Sequence, residues 1–235
     1  MPEALEQADA VNPRRLAVLV SGRGSNLQAL LDAIEQGRLD ARIVGVFSDR
    51  PDAPALRKVP PSLRWSRDAG KFGQRAEFDQ ALGDAVAASG AHWIICAGYM
   101  RILGDAFVER FRGRLLNIHP SLLPRYRGLR THARALAAGD RVHGASVHFV
   151  VPELDSGAVI ARVRVPILAD DTPADLAARL LPREHALLVA VANLAAAGRL
   201  DERDGKAVID GQALFKPLSL DLQGNFAASD PALTP

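Results

Sequence analysis

One cysteine, Cys96, stands among 235 residues. That count excludes a disulfide framework and a thiolate metal cluster, and it suits a reducing compartment. Aromatic residues make up only 5% of the chain, too few for a base-stacking platform, so no nucleic-acid partner is expected. None of the spacings H-x-x-x-H, H-E-x-x-H or C-x-x-C occurs, and a catalytic metal is therefore not expected. No apolar run approaches the roughly 20 residues of a membrane span. Residues 1–13, MPEALEQADAVNP, lack the apolar segment of a secretory signal. The expected location is the cytoplasm. The formal net charge is +2 and the pI near 9.0, an excess too small for a DNA-binding stripe but one that favours small anionic ligands.

What is present is the material of a soluble α/β protein. Hydrophobic residues are 48% and charged residues 24% of the chain, enough for a substantial core. RLAVLV (15–20), RIVGVFSD (42–49), HWIICAGYM (92–100) and RLLNI read as buried strands. Helical spacing follows the first strand at Leu27, Leu30, Leu31 and Ile34, and recurs over 74–89 at Phe78, Leu82 and Val86. Short helices are predicted over Asp105–Phe111 and THARALAAG, and the Pro-rich 49–62 reads as loop with at most a short helix. This alternation predicts a mostly parallel sheet flanked by helices. The pattern then changes: 144–167 reads as two strands around an ELDSG turn, giving antiparallel strands in the C-terminal half. A long helix follows, with Thr172 as N-cap, Pro173 at the first position, Asp175 approximating a capping box, and Pro182 as an interruption. AVIDGQALF is expected as a terminal hairpin, and the Ser-, Asp-, Pro- and Ala-rich chain from about 217 has little reason to be ordered.

Ligands of such sheets bind beyond the carboxyl ends of the strands. Three motifs sit there. SGRGSN (21–26) combines two glycines with a helix amino end, a cradle for a phosphate monoester or else a tight strand-to-helix turn. It lacks the third glycine of a dinucleotide fingerprint and the lysine of a P-loop. AGYMRIL supplies Met100, Ile102 and Leu103, which by themselves read as core, and Arg101, which reads as a solvated charge. In RLLNIHPSLLPRYRG (114–128), strand alternation sends Leu116 and Ile118 to one face and Asn117 and His119 to the other. Farther on, Asp155 in ELDSG reads as a turn cap, and Ser146 with His148 reads as a hydrogen-bonded strand face.

The order SGRGSN, AGYMRIL, LLNIHPSLLPRYRG, HGASVHF, ELDSG and REH, running over residues 14–212, resembles the folate-dependent glycinamide ribonucleotide formyltransferases of purine synthesis. The resemblance implies a single Rossmann-like formyltransferase domain over 14–212, between flexible tails at 1–13 and 217–235. It implies transfer of a formyl group from 10-formyltetrahydrofolate, a co-substrate rather than a bound cofactor, to the amine of glycinamide ribonucleotide, by a monomer or homodimer. Asn117 and His119 would stabilise the oxyanion of a tetrahedral intermediate, with Asp155 holding the histidine charged and assisting proton transfer. Gly24, Ser25, Asn26 and Glu184 would bind the ribonucleotide. Arg75, Met100, Arg101, Ile102, Leu103, Asn117, Val151 and Asp155 would bind the folate. Leu123–Pro124 corresponds to a cis peptide in the family. Two residues depart from the pattern: Arg127 stands where proline is usual, a feature shared with methionyl-tRNA formyltransferases, and Pro182 falls just before Glu184. Methionyl-tRNA formyltransferase, formyltetrahydrofolate hydrolase and a catalytically inert nucleotide-binding regulator are the competing classes. SGRGSN argues against the first and the full set Asn117, His119, Asp155 against the last.

Overall fold

The structure is a computed structural model, and it describes residues 13–227. Strands β1 (Arg14–Val20), β2 (Ala41–Ser48), β3 (Arg64–Ser66), β4 (Trp93–Cys96) and β5 (Leu115–His119) run parallel in the order β5-β4-β1-β2-β3. β6 (Val142–Phe149) and β7 (Val159–Pro166) extend this sheet antiparallel beyond β5. Helix α1 (Ser25–Glu35) and the long α5 (Pro173–Ala196) cover one face with Leu27, Leu30, Leu176, Leu180, Leu187 and Val191 in the core beneath them. α2 (Arg75–Ala88) and α3 (Asp105–Arg110) cover the other, burying Phe78, Leu82, Phe107 and Phe111. α4 (Thr131–Ala137) lies between β5 and β6 in the chain. This is the α/β layering expected from the alternation of strand and helix patterns.

Local sequence explains several boundaries. Thr172 accepts from the Asp175 amide at 3.2 Å while Asp175 accepts from the Thr172 amide at 3.0 Å, a capping box that starts α5. Gly24 begins α1 with φ 72°, and a Cβ there would lie 2.5 Å from the Ala55 Cβ, so only glycine fits. The Leu123–Pro124 bond is cis.

Four expectations change. The strand read as 92–100 stops at Cys96, because Gly98 turns the chain with φ 76°. α5 runs unbroken through the exposed Pro182, with Leu180 before it and Leu187 after it buried in the core. The C-terminal hairpin is a three-stranded meander, since β8 (Leu200–Arg203) joins β9 (Lys206–Ile209) and β10 (Gln212–Ala213). The segment from 217, expected to lack order, instead forms β11 (Leu218–Leu220) and β12 (Phe226–Ala227). β11 pairs parallel with β7 at Ala161 and Arg162 and so covers part of what would be an open edge. The other parts of the expected tails, 1–12 and 228–235, lie outside the described residues.

Candidate active site

Strand order reverses between β1 and β4, and the crevice at their carboxyl ends is the expected ligand position. Ser21, just past β1, ties the two lips together. Its amide donates to the Gly98 carbonyl at 3.2 Å, and its hydroxyl donates to Asp49 at 2.6 Å while accepting from the Met100 amide at 2.9 Å. A cavity of about 410 Å³ opens beside this junction, within the size range of small-molecule sites. Met100, Arg101, Ile102, Leu103, Asn117, His119, Val151 and Asp155 all line it.

The polar wall is set by sheet register. Asn117 lies opposite His148 and His119 opposite Ser146 across β5 and β6, so all four share one face. Burial pulls the His148 imidazole down to about 4, which leaves it neutral at pH 7. Its Nδ1 lies 2.7 Å from the Phe149 carbonyl, which only accepts, so Nδ1 carries the hydrogen and Nε2 the lone pair. Nε2 then accepts from Asn117 Nδ2 at 3.1 Å, fixing the orientation of that amide. By the same logic His119 Nε2 donates to the Tyr126 carbonyl at 3.0 Å. Its Nδ1 stands 3.5 Å from Asp155 Oδ2, an ion-pair distance rather than a good hydrogen bond, and is the ring nitrogen left for an incoming group. Asp155 has φ 49°, accepts from the Gly128 amide at 2.8 Å and places its other oxygen 3.7 Å from His148. The turn cap read from ELDSG is therefore a carboxylate held by the Gly128 amide and facing two histidines.

The apolar wall differs from its reading as plain core. Met100 is 67% and Ile102 53% exposed, whereas Leu103 is buried. Arg101 folds inward over the Phe78 ring at 5.1 Å and toward the buried Asp79 at 3.9 Å. Arg75 is absent from the cavity lining. Its Nη2 donates to the Ile102 carbonyl at 2.6 Å and its Nε pairs with Asp79 at 3.5 Å, so it supports the wall from behind.

The third group lies apart from this cavity. Asn26, at the start of α1, donates to Glu184 of α5 at 2.7 Å. Burial pushes the Glu184 carboxyl above the usual range, opposed by that hydrogen bond. Gly24 and Ser25 flank the pair at the α1 amino end, where unpaired backbone amides favour an anion.

Sequence reasoning undervalued His148, whose alternation with Ser146 was visible but whose partner depends on the β5–β6 register. Thr131, His132 and the Gly128 backbone also line the cavity, and no pattern in the sequence pointed to them. Among the described residues, no group of three or more His, Cys, Asp or Glu is placed to hold a metal ion.

A doubly flanked α/β sheet with an amide, an imidazole and a carboxylate around a cavity at its switch point has the makings of a group transferase. Residues 14–192 match the Formyl transferase family, and the chain belongs to that family. Among curated relatives, phosphoribosylglycinamide formyltransferase of Escherichia coli (strain K12) is 43% identical over 201 residues, covering 85% of this chain and 95% of the relative. The enzyme of the same name from Haemophilus influenzae is 40% identical, covering 86% and 97%. The solved structure of phosphoribosylglycinamide formyltransferase from Coxiella burnetii in complex with CHES superposes with a TM-score of 0.81 at 41% identity, covering 86% of this chain and 96% of that one.

Proposed function

We propose that the protein is a glycinamide ribonucleotide formyltransferase of purine biosynthesis, taking its one-carbon unit from 10-formyltetrahydrofolate as a co-substrate. The observation that carries the reading is the convergence of Asn117, His119 and Asp155 on one wall of a cavity whose other wall is apolar. The folate lies in that cavity against Met100, Ile102, Leu103 and Val151, with Arg75 and Arg101 shaping its wall. The ribonucleotide phosphate sits at Gly24, Ser25 and Asn26, and Glu184, which accepts from Asn26 at 2.7 Å, meets the same substrate next to that phosphate.

The amine nitrogen attacks the formyl carbon, and the carbonyl electron pair moves onto oxygen. The second hydrogen of the Asn117 amide and the Nδ1 hydrogen of protonated His119 donate to that oxyanion. Asp155 is the counter-ion of His119 and accepts the proton released by the attacking amine, directly or through a water. Collapse of the intermediate breaks the bond to N10, which takes the proton back from Asp155 as it leaves, so that formylated ribonucleotide and tetrahydrofolate are released. Sparse cysteine and the lack of any helix, among the described residues, long and apolar enough to cross a membrane support a cytoplasmic enzyme acting on small molecules.

The test offers the purified protein 10-formyltetrahydrofolate with each acceptor in turn. Formylation of glycinamide ribonucleotide is expected. Formate release without an acceptor, or transfer to methionyl-tRNA alone, would replace this reading with hydrolase or tRNA-modifying activity.

A further inference from the structure

The strand pair β11–β12 lies beyond the segment that matches the family, which ends at 192. It is nevertheless integrated: Leu218 and Ser219 pair with Ala161 and Arg162 of β7, and Leu220 is buried. The strand is also tied to α5 by one side chain. Arg183 Nη2 donates to the carbonyls of Leu220 and Asp221, each at 2.8 Å. Asp221 in turn accepts from the Asn225 amide at 2.8 Å, closing the turn into β12. The Arg183 Nε is buried without a partner, so the side chain is drawn inward for those two carbonyls despite a desolvation cost.

Arg183 falls between Pro182 and Glu184. Pro182 has no backbone N–H to offer the Ala178 carbonyl, so the turn of α5 that presents Glu184 lacks one helical rung. A proline of this kind is a usual point of helix bending, and a tie from outside the helix limits that freedom. We infer that Arg183 is a positioning residue: by tying this turn to strand β11 it holds Glu184 within reach of Asn26, making the C-terminal strand pair part of the ribonucleotide end of the site. The inference rests on the reading of Glu184 as a ribonucleotide contact. Releasing the tie lowers the fraction of molecules with Glu184 in place, and apparent ribonucleotide affinity falls by that fraction. The chemistry at Asn117, His119 and Asp155, on a different pair of elements, is untouched.

Steady-state kinetics on the full chain test this. Arg183→Met should raise the ribonucleotide KM about tenfold, with the folate KM and kcat unchanged. Adding Pro182→Ala, which restores the missing rung, should return the ribonucleotide KM toward that of the parent. An unchanged ribonucleotide KM, equal losses for both substrates with a lower kcat, or a double variant no better than R183M each overturn the inference. Should R183M fail to fold, Arg183→Gln stays polar but is too short to reach the two carbonyls, and an unchanged ribonucleotide KM there overturns it equally. Glu184→Gln separates the two levels. If E184Q raises the ribonucleotide KM and the Arg183 variants do not, the brace alone is wrong; if E184Q has no effect, the brace falls together with the reading of Glu184.

Discussion

Asn117 and His148 are brought together by the register of two neighbouring strands, whereas Asn26 and Glu184 meet across 158 residues of chain at the meeting point of two helices. The first pair can shift only if β5 slips against β6, which would turn every side chain of the strand to the wrong face. The second pair depends on how α1 and α5 pack, and on a helical turn weakened by Pro182. The two constructions suit different tasks. A rigid sheet face can preorganise donors for a charge that exists only near the transition state, and its loss should appear in kcat. A helix-to-helix pair that grips an unreacting part of the substrate should appear in KM.

The sharpest way to break this contrast is at the sheet. His119→Ala should lower kcat by about 10²–10³, the usual consequence of losing one oxyanion donor, and Asp155→Asn should lower it through the same unit. Because the two act together, the double variant should lose far less than the product of the single losses. Fully multiplicative losses, or near-normal turnover in H119A, would make the shared face structural. At the helix end, Asn26→Ala should raise the ribonucleotide KM by about 10–100-fold, the worth of a hydrogen bond to a charged group, and barely move kcat or the folate KM. If kcat falls instead, the two ends do not divide the work.

Smaller effects sharpen the division further. Met100→Asp should weaken folate binding about tenfold by placing a charge in an apolar wall, with ribonucleotide binding and Tm preserved because Met100 is exposed. A lower Tm with equal loss of both substrates would mark the segment as core. The mildest expected effect is on stability against pH. Burial holds His143 and His148 each at about 4, below the ordinary 6.5. Between those values the unfolded chain binds protons that the native protein does not, so stability falls as pH drops from about 6.5 toward 4. Thermal melts across that window should show a shallower acid slope in His148→Gln; an unchanged slope would mean that His148 titrates near its ordinary value.

Strand alternation in RLLNIHP, the glycines of SGRGSN and the capping residues at Thr172 and Asp175 were legible because they act over a few residues, through Cβ geometry and local hydrogen bonds. On that basis the sequence by itself determined the α/β class, the shared face of Asn117 and His119, and the loop at the amino end of α1. Residue patterns alone left His148 a strand polar group and Asp155 a turn cap, and only the family resemblance implied more for Asp155, since their partners come from elements far along the chain. Only the tertiary structure decided that Arg75 backs the cavity wall instead of lining it, that His119 Nε2 is committed to the Tyr126 carbonyl, and that residues 218–220 cover part of the sheet edge. The physical reason is that strand pairing and helix packing join groups whose separation in sequence carries no periodic signal. A polar side chain declares its chemistry locally, but the groups that orient it are chosen by which surfaces bury together.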